Sequence, residues 1–190
     1  MQLTTSLRNG VKHMEKRHAY ITYYDQMPIP ADMACTELFE AGDVAFGVQF
    51  RTLTDELVAA QSLVAASGNK RGKVTGLNDY GVALHVFDNT GPKMVECLRF
   101  DCFHGEAHYH YVNWAELRNE MAYMDPVAFG DPLAWSLNAI RTRLACMIEC
   151  ALGSSWTGTI DSRLLDQVLP QVAASAYRAR FHSTINDSQI

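Results

Sequence analysis

The hydrophobic and polar positions along the chain predict strands in its first part and helices in its second. Over residues 43–53 apolar residues alternate strictly with small or polar ones, as in a half-buried strand. Thr54 then offers an N-cap oxygen and Gly68 suits the end of a helix, so we expect a helix over residues 54–67. Turn residues separate three further strands, expected at residues 80–88, 94–103 and 106–113.

The apolar period becomes helical after residue 114, first over a short stretch that ends near residue 124. Asp131 and Pro132 form a typical helix start, because the aspartate caps free amides and the proline has no amide that needs a partner. Apolar residues then recur at spacings of three and four up to Gly153. The pattern predicts one helix over residues 133–152 and a last one over residues 161–180.

These elements predict an α+β fold. We expect a mainly antiparallel sheet of about four strands, in the order strand, helix and three-strand meander, followed by three helices packed on one face. Residues 43–182 would form a single domain, and the polar residues 183–190 are expected to fray.

Residues 1–42 show no sustained period but contain an aromatic and proline-rich stretch, which predicts an extended arm. Because exposed apolar surface is normally covered, two arrangements are open. The arm wraps its own domain, or it docks on a partner subunit and makes the protein a homo- or hetero-oligomer.

The composition of the chain limits the classes of partner that we expect it to bind. The chain has 190 residues and a formal net charge of -5, which does not favour nucleic acid, whose affinity comes mainly from basic side chains on phosphates. We find no apolar core of a secretory signal, and the most apolar long stretch is interrupted by charged residues. The five cysteines form no CxxC pair, so we expect reduced thiols. Together with the missing secretory signal and membrane span, this predicts a cytoplasmic protein without membrane partners.

Two strand motifs carry a resemblance. The sequence LRFDCF at residues 98–103 and HYHY at residues 108–111 precede Asp125-Pro126, Gly130-Asp131 and Trp135. In these features the chain resembles a family of small, uncharacterised bacterial proteins over residues 80–180. The resemblance supports strands followed by helices and draws attention to the charged residues and histidines of the motifs. It implies no activity.

Arg99 and Asp101 are two charged residues on a mostly apolar strand, and alternation puts them on the same face. A two-residue turn at Gly105 and Glu106 would place Asp101 opposite His110, with His108 on the same side. A three-residue loop would instead move both histidines to the other face, because a shift of one residue exchanges the faces. We favour the two-residue turn.

Three interpretations of this face are open. The first is a structural polar cluster packed under a helix. The second is a site for a small-molecule ligand or for acid–base catalysis, in which Asp101 orients His110 and raises its pKa, and Arg99 grips an anion.

The third interpretation is a site for a divalent transition metal. His-x-His on a strand directs two imidazoles to one side, and a nearby carboxylate completes the set His108, His110 and Asp101. Further ligand candidates near this set are His85, His104 and Glu106. The positive charge of Arg99 counts against a cation.

Two functions of different class follow. One is a non-catalytic or accessory subunit of a larger assembly that binds a partner through its arm and a small ligand at the histidine-rich strand pair. The other is a small, metal-dependent enzyme using His108, His110 and Asp101.

Overall fold

The computed structural model describes residues 21–24, 27–57 and 78–187. Its described strands form one antiparallel sheet in the order β1-β7-β6-β5-β4-β3-β2. The strands are β1 (Thr22–Tyr24), β2 (Glu37–Ala41), β3 (Val44–Thr54), β4 (Asn78–Asp88), β5 (Val95–Phe103), β6 (His108–Asn113) and β7 (Arg118–Tyr123). The helices that follow are α1 (Pro126–Phe129), α2 (Pro132–Leu152) and α3 (Ser162–Asp187), with a short 3-10 turn over Gly153–Ser155.

The α+β class and the antiparallel sheet are confirmed, but the expected number of about four strands is wrong, since the described residues alone form seven. Two of the additional strands, β1 and β2, lie in the predicted arm, where the sequence shows no sustained alternation. The third, β7, replaces the short helical stretch expected before residue 124. It pairs with both β6 and β1, so tertiary pairing overrides a weak local pattern.

Helices α2 and α3 cover one face of the sheet. α2 packs on β5 and β6, and α3 packs on β2, β3 and β4. The helix predicted over residues 133–152 is confirmed, and Asp131 caps it by accepting a hydrogen bond from the Ala134 amide. Its apolar stripe meets a core that includes Phe46, Leu84, Leu98 and Phe100. None of the described helices is both long and apolar enough to cross a membrane.

The opposite face of the sheet is also covered, so β3 is buried on both sides and not half-buried as predicted. Residues 27–36 cross β3 on this face. The Asp32 amide donates to Oε1 of Gln49 at 3.3 Å, and both terminal guanidinium nitrogens of Arg51 donate to the Ile29 carbonyl at 3.3 Å. The described part of the predicted arm therefore packs on its own domain.

Two predicted boundaries differ at the edges of the described residues. The helix predicted over residues 54–67 begins at Asp55, where the Thr54 hydroxyl accepts from the Leu57 amide, and its remainder lies outside the described residues. At the other end α3 continues to Asp187, beyond the point where the chain was expected to fray.

Candidate functional site

The face away from α2 and α3 carries a layer of buried polar side chains, which we call the polar layer: His85, Glu96, Arg99, Asp101, His108, His110 and Asn119. Strand pairing brings them together. His85 on β4 lies opposite Arg99 on β5, and Arg99 in turn lies opposite His110 on β6. Asp101 lies between Ala83 and His108 in the same way.

The predicted face is right, but the predicted register is wrong. Asp101 pairs with His108, and not with His110, because residues 104–107 form a longer loop than the expected two-residue turn. The Asp79 carboxylate holds this loop by accepting hydrogen bonds from the amides of Gly105 (2.8 Å) and Glu106 (2.9 Å). The difference is two residues, so both histidines stay on the Asp101 face.

Both histidines direct Nε2 at the same carboxylate oxygen. Oδ2 of Asp101 lies 3.3 Å from Nε2 of His108 and 3.6 Å from Nε2 of His110. On the other side of each ring, Nδ1 of His108 lies 2.7 Å from the Glu106 carbonyl oxygen and Nδ1 of His110 lies 2.8 Å from Oδ1 of Asn119. Because these two oxygens only accept, both Nδ1 atoms carry the proton.

The two histidines differ in electrostatics. Burial lowers the pKa of His110 below its usual value, despite the adjacent Asp101. The pKa of His108 is raised, because the Asp101 carboxylate outweighs burial there. Burial disfavours the charge of Asp101, but the two histidines and Arg99 hold its pKa well below the usual range. The Asp101 carboxylate acts on His110 in the expected direction, since it raises the pKa, but burial opposes it and the net change is downward.

Arg99 binds a carboxylate that the sequence analysis missed. Its Nε and Nη2 donate to Oε1 and Oε2 of Glu96 at 2.8 and 2.6 Å, and Nδ1 of His85 lies 2.5 Å from Oε1. Strict alternation would place Glu96 on the helix-facing side, but a bulge in the β4–β5 pairing moves it to the polar layer. The sequence contains one signal that could have indicated this ion pair: Glu96 lies three residues before Arg99 on a mostly apolar strand.

The other named candidates lie outside the Asp101–histidine cluster. His85 is fully buried beside Glu96. His104 is exposed in the β5–β6 loop, where its ring stacks on Tyr80 at a centroid distance of 5.7 Å. The Glu106 side chain is exposed too, and this residue contributes its carbonyl oxygen to His108.

The Asp101–histidine cluster has little access to solvent. Asp101 is 3% exposed and His110 7% exposed, while the side chain of His108 retains 13%. A cavity of about 430 Å³ lies elsewhere, near the start of α2, and its lining includes Phe50, Cys102, Leu133 and Arg180. The cluster is therefore nearly closed, with His108 as its most accessible member.

The fold and this cluster define a class: an α+β protein with a helix-covered antiparallel sheet and two histidines and an aspartate meeting in the buried polar layer. Residues 38–176 match a family described as a domain of unknown function (DUF7700), and the chain belongs to that family. Neither the curated proteins nor the solved structures include a match to this chain.

Proposed function

We propose that the protein binds one divalent transition metal ion, of the zinc class, through Nε2 of His108, Nε2 of His110 and the carboxylate of Asp101. The main observation behind this proposal is that Nδ1 of His108 and Nδ1 of His110 each contact an oxygen atom. Each Nδ1–H is directed at an oxygen acceptor, which leaves both Nε2 atoms facing Asp101. A metal-binding histidine is normally held by such a bond from its other ring nitrogen.

The separations of the ligand atoms support this proposal. Zinc bonds to nitrogen and oxygen of about 2.0–2.2 Å in a tetrahedral site imply ligand atoms about 3.3–3.6 Å apart. The two nitrogen–oxygen distances, 3.3 and 3.6 Å, fall in this range, and all three ligand atoms lie within 4.8 Å of one another. Imidazole and carboxylate ligands together suit zinc and its neighbours better than calcium or magnesium.

The positive charge of Arg99 is compensated locally. Glu96 accepts two hydrogen bonds from its guanidinium group, and the surrounding groups hold the pKa of Glu96 at about 2, so this carboxylate is ionised at neutral pH. Glu96 therefore offsets the positive charge of Arg99, although Arg99 still acts on Asp101. This arrangement weakens the electrostatic argument against a metal.

Three protein ligands leave a fourth position of a tetrahedral ion for water or substrate, as in catalytic zinc sites. This favours a small metal-dependent enzyme over a purely structural metal site. The role of an accessory subunit, which was expected to act through the arm at residues 1–42, stays a prediction, and residues 1–20 of that arm lie outside the described residues.

The test is zinc binding by the full-length protein, purified without a histidine tag or chelator. We expect bound metal in the purified protein and, after its removal, one equivalent of zinc in calorimetry. His108→Gln and His110→Gln should each weaken zinc binding at least tenfold.

The matched control is His104→Gln, which removes an exposed histidine from the neighbouring loop and should leave affinity unchanged. Absence of zinc binding by the wild-type protein would refute the proposal. An equal loss in the His104 and His110 variants would also refute it, because the ion would then be bound outside the cluster.

A further inference from the structure

Two buried polar atoms of the polar layer lack a hydrogen-bond partner among the described residues: Nε2 of His85 and Oδ1 of Asp101. His85 is 0% exposed and Asp101 is 3% exposed. An unpaired buried group costs about 1–3 kcal/mol, so such atoms call for an explanation.

Both atoms are acceptors. Glu96 is ionised and only accepts, so Nδ1 of His85, 2.5 Å from Oε1, must donate to it. Burial lowers the pKa of His85, which keeps the ring neutral and leaves Nε2 with a lone pair. Oδ1 of Asp101 is a carboxylate oxygen and therefore accepts. A molecule that satisfies both must have two donors, which excludes an anion.

The strand register places a small side chain next to both atoms. Ala83, which is 0% exposed, lies two residues before His85 on β4 and directly opposite Asp101 on β5. Its methyl group covers little of the space beside the carboxylate. His85 lies opposite Arg99, two residues from Asp101 on β5, so His85 and Asp101 are diagonal neighbours on one face of the sheet, and neither unpaired atom bonds the other. Buried polar groups that share a face without bonding each other are often joined by a buried water, which makes two or more hydrogen bonds to such groups.

We propose that a water molecule bridges Nε2 of His85 and Oδ1 of Asp101, and that it is the fourth ligand of the metal; this second part rests on the proposed function. Oδ2 of Asp101 binds the ion, while Oδ1 accepts one hydrogen bond from the bound water. His85 accepts the other, and Glu96 fixes the tautomer that makes this possible. His85 is thus a positioning residue for the metal-bound water, not a metal ligand.

The test is a long-range proton–nitrogen NMR correlation of the histidine rings in the full-length protein, before and after one equivalent of zinc chloride. We expect His85 to be protonated at Nδ1, with its Nε2 resonance upfield of an unbonded lone-pair nitrogen. Zinc should move the Nε2 resonances of His108 and His110, and also that of His85, because a metal-bound water is a stronger donor.

The outcomes separate the two proposals. If His108 and His110 respond to zinc but His85 does not, the inference is wrong and the metal site stands. If none of the three responds, the proposed function is wrong. A proton on Nε2 of His85 would also overturn the inference, because that atom would then be a donor.

A variant tests the bridging water independently of zinc. Ala83→Val fills the space beside Asp101, so the His85 Nε2 resonance should return to the position of an unbonded nitrogen. Ala45→Val is the control, since Ala45 is equally buried on β3 but lies opposite Phe87. An unchanged His85 resonance in a folded Ala83→Val protein would contradict the bridge, and the wild-type zinc experiment decides if that variant does not fold.

Discussion

Glu96→Gln is expected to be among the most destabilising substitutions in the polar layer. Burial alone would raise the pKa of Glu96, but the charge of Arg99 and the hydrogen bonds from His85 and Arg99 lower it from 4.5 to about 2. An amide in its place keeps the shape of the side chain but takes from the guanidinium group of Arg99, which is 2% exposed, the only carboxylate it is hydrogen-bonded to among the described residues.

The expected loss of folding free energy can be estimated from the change in the pKa of Glu96. At 1.36 kcal/mol per pH unit, the fall from 4.5 to about 2 corresponds to about 3 kcal/mol of folding free energy. Because the folded-state pKa is depressed, this contribution is fully present above pH 4.5 and is lost as the pH falls toward 2. Removing one partner of a buried ion pair costs about 3–5 kcal/mol, so we expect a loss in that range at pH 7.

The assay is urea unfolding of the wild-type protein and the variant between pH 2 and pH 7. Glu96→Gln should lower the free energy of unfolding at pH 7. Below pH 4.5 the free energy of unfolding should decrease less steeply with falling pH in the variant than in the wild-type protein. Glu149→Gln, at an exposed position of α2, is the control and should change stability by less than about 0.5 kcal/mol.

A double variant sharpens this test. Replacing Glu96 and Arg99 together by methionine should cost less than the sum of the two single replacements, because no buried charge is left unpaired. The reasoning is refuted if Glu96→Gln costs less than about 1 kcal/mol, or if the two replacements are additive.

Three further predictions concern the histidine cluster, the core and the arm. Asp101→Asn should lower the pKa of His108 in an NMR titration, and an unchanged pKa would contradict the assigned cause. In the wild-type protein the raised His108 pKa adds folding stability below the usual histidine pKa, and this stability is lost as the pH rises through the folded-state pKa. The variant should lose that contribution. Leu144→Ala, in the buried stripe of α2, should cost about 2–5 kcal/mol in thermal or urea unfolding, whereas Leu117→Ala, at a position that is 70% exposed, should have almost no effect. Removing residues 1–20 should lower the native mass in light scattering by at least one subunit if the arm binds a partner, and an unchanged mass would exclude that role.

The sequence alone determined the elements with a strong period. The helix at Pro132–Leu152 was predictable because its apolar stripe, its capping aspartate and its terminal glycine agree. Alternation likewise put Arg99 with Asp101 and His108 with His110, and the favoured two-residue turn put both pairs on the same face, where the structure has them. It did not predict β1, β2 and β7, which form by pairing with neighbouring strands and have little signal of their own.

The tertiary structure decided which atoms of the site meet. A period of two is unchanged by a shift of two residues, so the pattern could not choose between His108 and His110 opposite Asp101. That choice came from Asp79, on a different strand, which holds the β5–β6 loop. The bulge that turns Glu96 toward Arg99 breaks the period, and the burial that lowers the His110 pKa depends on the whole covered face. These features depend on contacts between residues far apart in the chain, which a local pattern does not contain.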